Sequence, residues 1–194
     1  MLTVKQGSVL MSAARNAIKK SFDSDYNKYL SEFNEKLGVF VTILEYPSLD
    51  LRGCIGFPYP EIELGKAVIQ GAKAAAFSDP RFPPLQKNEI NKMVIEISIL
   101  SEPKEIKCKK EELANNVKIG RDGLIVRFGG FSGLLLPQVP IEWKWDSQQF
   151  LRQTCIKAGL PAETWKKEAC KFFKFQAQIF SEKSPNGKVI ERKI

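Results

Sequence analysis

The residues best suited to chemistry are Arg52 and Cys54, in the segment Leu51-Arg-Gly-Cys-Ile-Gly56. Alternate residues of a strand share a face. That period predicts Arg52, Cys54 and Gly56 on one face, with Leu51, Gly53, Ile55 and Phe57 turned to the core. Residues i and i+2 lie about 7 Å apart, so the Arg52 guanidinium is expected beside the Cys54 thiol, where it would favour the thiolate. Gly53 and Gly56 weaken a strand and mark a bulge, or the close approach of a ligand or another backbone. A plain packing role stands beside the reactive one. Cysteine is among the most buried residue types, and the two glycines could simply admit a neighbouring helix. The second cluster is Asp79-Pro-Arg-Phe82. Pro80 stiffens a turn that Asp79 starts by bonding nearby backbone, and Arg81 is displayed on the ordered loop. One reading is a structural ion pair or Asx turn. The functional reading sets Asp79 and Arg81 at the rim of the pocket that holds Cys54.

What the sequence lacks narrows the chemistry. Its 194 residues include no histidine. Cys-His and Ser-His-Asp machinery is therefore excluded, as is a His-ligated metal held by this chain alone. A base for Cys54 would have to be Asp, Glu, Lys or Tyr. The four cysteines, Cys54, Cys108, Cys155 and Cys170, form no Cys-x-x-Cys pair, and Cys108 and Cys155 are expected to be non-catalytic. Neither a metal nor a cofactor is expected. Gly120–Gly123 and Gly129–Gly133 match neither a P-loop nor a dinucleotide fingerprint and are read as hairpin turns. Trp143, Trp145 and Trp165 are read as core anchors.

The 30 basic residues against 22 acidic ones leave a net charge of +8. That balance permits nucleic acid or an acidic partner. The lysine doublets are scattered, however, and only Lys183–Lys193 has a sustained basic bias, so a solvated surface is the simpler reading. No apolar run approaches the roughly 20 residues that span a bilayer, and Met1–Ser8 lacks a signal core. A cytoplasmic protein with reduced thiols and no membrane association is expected.

The elements that must position these residues follow from periodicity. Val9, Leu10, Ala13, Ala14, Ala17 and Ile18 form one helical stripe. A short second helix is expected with Tyr26, Tyr29, Leu30 and Phe33 on one side. Val39–Leu44 and Leu51–Phe57 are read as a hairpin around Pro47–Asp50. Leu64, Ala67, Val68, Gly71, Ala72, Ala75 and Ala76 make a small-residue helix stripe suited to close packing. Ser78–Leu85 is a proline-rich loop and Met93–Leu100 a strand. Glu111–Asn115 is expected to hold one helical turn. Asp122-Gly123 is a hairpin signal. Asp146 opens a helix with Gln149 as its capping partner, and Gly159 closes it. Phe172–Phe180 alternates as one strand, and the chain beyond Ser181 is expected to be loose. Strands and helices mix without a βαβ rhythm. The fold class is therefore α+β, a mostly antiparallel sheet with flanking helices. The length suits one compact domain over residues 1–194, with two lobes, the smaller one strand-rich over about 93–137.

Six ordered blocks carry a resemblance. They are Leu51–Gly56, Asp79-Pro-Arg-Phe-Pro-Pro-Leu85, Glu96-Ile-Ser-Ile-Leu100, Ile119-Gly-Arg-Asp-Gly-Leu-Ile-Val126, Gly133-Leu-Leu-Leu-Pro-Gln-Val139 and Phe150–Leu160. Over about residues 4–180 the chain resembles the AMMECR (AMMECR-one) domain family, in a stand-alone microbial form. The resemblance implies a two-lobed domain with a mostly antiparallel sheet. It implies a functional role for the hexapeptide but assigns no catalytic residue. It also implies partnership with Memo-like and radical-SAM proteins in a modification or redox pathway. Three functions are therefore carried forward. The first is a binding component for such partners or an unknown small ligand, using Arg52, Gly53, Cys54 and Gly56 with Asp79 and Arg81. The second is an enzyme with Cys54 as thiolate nucleophile. The third is a nucleic-acid-binding module, ranked last because no recognised motif for it is present. Whether the chain is an enzyme is left open by these residues.

Overall fold

The computed structural model describes residues 1–20 and 32–193. Along the chain the elements run α1 (Val4–Lys20), β1 (Gly38–Glu45), β2 (Leu51–Phe57), α2 (Leu64–Phe77), β3 (Met93–Leu100), β4 (Lys104–Glu105), β5 (Gly123–Phe128), β6 (Phe131–Leu135), α3 (Val139–Glu142), α4 (Ser147–Lys157), β7 (Lys171–Phe175), β8 (Ala177–Glu182) and β9 (Val189–Arg192). They form two units, residues 1–100 with 178–193, and residues 101–177. These boundaries differ from the smaller lobe expected over about 93–137. β3 belongs to the first unit, and the second continues to Ala177.

The first unit holds a sheet of order β2-β1-β3-β8-β9. β1 pairs antiparallel with both β2 and β3. Val39, Val41 and Ile43 of β1 and Met93, Ile95 and Ile97 of β3 join the apolar stripes of α1 and α2 in one core. Burying such side chains contributes about 1.5–3 kcal/mol each. α2 comes close because its stripe is small, as expected: an ideal Cβ at Gly71 would lie 3.2 Å from Val41 Cγ2. Arg15 interrupts the apolar stripe of α1 and is buried. Its Nε donates to Glu182 Oε1 at 2.9 Å, its Nη1 and Nη2 donate to the carbonyls of Ile90 and Met93, and Nη2 also meets Glu182 Oε2. Ile95 N–H bonds the same carboxylate. A buried charge is tolerated only when satisfied in this way. Phe33 is buried in this core; Tyr26, Tyr29 and Leu30 lie outside the described residues.

The second unit holds a sheet of order β4-β7-β5-β6. Leu124, Val126 and Phe172 pack against Phe150, Leu151 and Cys155 of α4. The Asp146 carboxylate accepts from Gln149 N–H at 2.7 Å, and Gln149 Oε1 accepts from Asp146 N–H at 3.0 Å. Gly159 takes φ +74° just past the helix end, the left-handed geometry that favours glycine there. The hairpin turn is not at Asp122-Gly123. β5 begins at Gly123, and the turn into β6 is Gly129-Gly130, with φ +55° and +87°. Two left-handed residues match the strand twist of a two-residue loop. Asp122 is instead buried, with its carboxylate pinned to Lys118 N–H and to Arg121.

Three other expectations change. Phe172–Phe180 is two strands in two sheets, β7 pairing β5 and β8 pairing β9. Beyond Ser181 the described residues, through Lys193, include a further strand, β9, antiparallel to β8. The expected helical turn at Glu111–Asn115 is two 3-10 turns, Lys110–Glu112 and Ala114–Asn116. Of the tryptophans, Trp165 is buried, while Trp143 is 67% exposed and stacks on Trp145 with centroids 6.1 Å apart. No helix among the described residues is long and apolar enough to cross a membrane.

Candidate functional site

The segment Leu51–Gly56 forms β2, an edge strand of the first unit's sheet. Its register with β1 runs regularly from Val39↔Phe57 to Ile43↔Gly53 and then slips to Leu44↔Leu51. Leu51 and Arg52 therefore stand together against Leu44, a β-bulge with one extra residue. A bulge re-aims the side chains beyond it. This explains two departures from the expected alternation. Leu51 is 40% exposed rather than core-facing. Arg52 is buried and pairs with Glu89, with its Nε donating to Oε1 at 2.8 Å and Nη2 to Oε2 at 3.3 Å. The hydrogen bond from Arg52 is the largest influence holding the Glu89 carboxyl below its usual range. Arg52 is thus committed to a structural ion pair and does not supply the charge acting on Cys54.

That charge comes from the loop. Asp79 and Arg81 clamp the backbone of Cys54 on the strand's outer edge. Cys54 N–H donates to Asp79 Oδ2 at 2.8 Å, and Arg81 Nη2 donates to Cys54 C=O at 3.2 Å. The two side chains also bind each other, through Arg81 Nε to Oδ1 at 3.0 Å and Nη2 to Oδ2 at 2.7 Å. Arg81 N–H closes the Asx turn on Oδ1 at 3.1 Å. The bond from Arg81 is the first cause holding the Asp79 carboxyl well below the usual carboxylate range, and the N–H groups of Cys54 and Arg81 add to it. The expected cluster of Cys54, Asp79 and Arg81 is therefore brought together, through the main chain rather than around the thiol.

The thiol itself is partly buried. Burial pushes Cys54 up from its ordinary range, and Asp79 and Glu96 push the same way. A hydrogen bond from Thr42 Oγ1, at 3.2 Å, and the Arg81 charge pull it down by less. The balance of these influences runs toward the neutral thiol rather than the thiolate. Thr42 faces Cys54 on one side and Glu96 of β3 on the other, so the three polar side chains form a row across the sheet. Glu96 is buried and accepts from Arg192 Nη1 at 3.0 Å. Sequence reasoning missed Thr42, Glu89 and Arg192. The alternation of β1 carried a signal for Thr42, whereas the other two depend on long-range pairing.

The glycines serve close packing. A Cβ on Gly53 would sit 2.1 Å from the carbonyl oxygen of Ala75 in α2, and one on Gly56 2.2 Å from that of Val39. Of the remaining cysteines, Cys155 and Cys170 are fully buried in the second unit and Cys108 partly so. Among the described residues no group of three or more Cys, Asp or Glu could hold a metal ion.

The AMMECR1 family model matches residues 11–180, and the chain belongs to that family. It is 45% identical over 199 aligned positions to a protein of Methanocella arvoryzae, covering 100% of both chains. It is 44% identical to protein MJ0810 of Methanocaldococcus jannaschii, covering 100% of this chain and 98% of that one. The crystal structure of protein PH0010 from Pyrococcus horikoshii superposes with a TM-score of 0.90 at 44% identity, over 95% of each chain.

Proposed function

We propose that this chain is a recognition component whose β2 edge and its clamp bind a protein partner or a small ligand, and that it performs no chemistry at Cys54. One observation carries the reading: every charged group around Cys54 is spent on structure, while the thiol is pushed up rather than down. A nucleophilic cysteine needs a lowered pKa or an adjacent base. Here Asp79 is bound to the Cys54 backbone and to Arg81, and Glu89 is bound to Arg52. The result is a rigid edge with a presented surface. Leu51 is 40% exposed, Leu49 of the preceding turn 55% and Tyr46 44%, and half of the Arg81 side chain meets solvent over the Phe82 ring. Apolar side chains beside a fixed guanidinium resemble the anchors of a protein interface. The partners implied by the family resemblance are Memo-like and radical-SAM proteins, acting with this chain in a cytoplasmic modification or redox pathway.

The test is calorimetric titration of the purified chain with purified Memo-like and radical-SAM proteins from the same organism. Leu51→Ser and Arg81→Ala should each weaken binding about 10-fold or more, the range of a modest hot spot, while Lys157→Ala should not. Absence of binding to either protein, or equal binding by all variants, overturns the reading. Turnover of any substrate that is abolished by Cys54→Ser also overturns it.

A further inference from the structure

A cavity lies in the second unit. Lys104, Arg121, Lys174 and Phe175 line this cavity of about 500 Å³, together with Glu102 and Asp122. That volume suits a small metabolite. Lys104 of β4 and Lys174 of β7 are directly opposed in the antiparallel register. Directly opposed residues have Cβ atoms about 5 Å apart, and like charges there are destabilising. Nearby carboxylates relieve this only in part. Asp122 is spent on Arg121, through Nε to Oδ1 at 2.7 Å and Nη2 to Oδ2 at 2.9 Å, and on Lys118 N–H. Asp122 also attracts Lys174, but its hydrogen bonds go to Arg121 and Lys118, and Glu102 is the other carboxylate of the lining against two lysines. Lys174 gives one hydrogen bond to the Asn116 carbonyl at 3.1 Å, and an ammonium has three donors.

We propose that this cavity binds a small anion bearing a phosphate or carboxylate group, held between the opposed ammonium groups of Lys104 and Lys174. The anion supplies the missing countercharge, and the Arg121–Asp122 pair forms a fixed polar wall. The Cys54 edge belongs to the other unit.

The experiment is calorimetric titration of the full chain in low-salt buffer with two probes, inorganic pyrophosphate and citrate. Lys104→Gln and Lys174→Gln are compared with Lys157→Gln on the exposed side of α4, and circular dichroism checks the fold of each variant. A single site is expected for at least one probe, and the preferred probe tells which anionic group the cavity takes. Each cavity variant should weaken binding about 10-fold or more, as for one lost charge-assisted hydrogen bond, with Lys157→Gln unchanged. In probe-free protein, Lys104→Gln should raise the melting temperature by relieving the repulsion, and adding the preferred probe should reverse the order. No binding of either probe overturns the proposal. So does equal weakening in all three variants, which would mean diffuse attraction to a basic protein. A probe-free melting temperature that falls in both glutamine variants also overturns it.

Discussion

Replacing Asp79 by alanine removes the acceptor of Cys54 N–H and the partner of Arg81. An edge donor left without a partner costs about 1–3 kcal/mol. The ion pair adds at most about 1 kcal/mol, because the guanidinium is half exposed and well screened. The clamp should thus be worth about 1–4 kcal/mol locally, which raises the exchange rate of the Cys54 amide hydrogen roughly 5- to 1,000-fold. Mass-spectrometric hydrogen exchange reads this directly. Arg81→Ala spares the bond from Cys54 N–H to Asp79 and should cost only about 1 kcal/mol. The effect also has a pH signature. The folded carboxyl of Asp79 lies below its unfolded value of about 3.9, so its contribution is fully present above that value and lost as pH falls through the folded one. The gap in urea stability between wild type and Asp79→Ala should therefore hold steady from neutral pH to about 5 and close in stronger acid. An exchange change in Asp79→Ala below about 3-fold, or an Arg81→Ala effect as large as that of Asp79→Ala, would refute the clamp.

Two further outcomes are expected. Because the Cys54 thiol is pushed up by burial, its alkylation at pH 7 should be slower than that of an unfolded peptide and climb only above about 8.5; its contribution to stability is present below that pH and lost as pH rises through the folded value, and rapid labelling at pH 7 would contradict this account. Gly53→Ala sets a methyl group 2.1 Å from the Ala75 carbonyl oxygen, where neither backbone can yield cheaply, so thermal melting should report a loss of about 3 kcal/mol or more, and an unchanged melting temperature would mean that the helix does not need this contact.

Much of the fold was legible because local rules decide it. The hairpin of β1 and β2, the stripes of α1 and α2, and the capping box at Asp146 all follow from periodicity and end chemistry within a few residues. The failures share a different cause. Arg52 pairs with Glu89 instead of standing beside the thiol, next to an extra residue in β2 opposite Leu44 that breaks the strand period, and no composition marks where pairing will slip. Asp122-Gly123 carries a turn signal, but its aspartate is drawn into the preceding turn by Lys118 and Arg121, and Gly129-Gly130 takes the hairpin. Phe172–Phe180 alternates without a break, yet Gln176 interrupts it, with its N–H donating to Ser101 Oγ. At the candidate site, the residue types of Cys54, Asp79 and Arg81 pointed to one place. The role they share there, holding main chain rather than activating sulfur, depends on contacts 25 and 27 positions apart in sequence.

The burial of Arg15 against Glu182 carries a consequence for how the first unit is put together. The arginine precedes the second unit in sequence, and its carboxylate follows it. Gly7 of α1 likewise lies under the Phe180 ring that packs over it. Without the residues that follow the second unit, residues 1–100 lack the Glu182 carboxylate that pairs with Arg15, and their sheet lacks β8 and β9. The core of the first unit is thus closed by two stretches far apart in sequence, whereas the strands and helices of the inserted segment are contiguous. The sheet of the first unit is completed by β8 and β9, which follow the second unit in sequence.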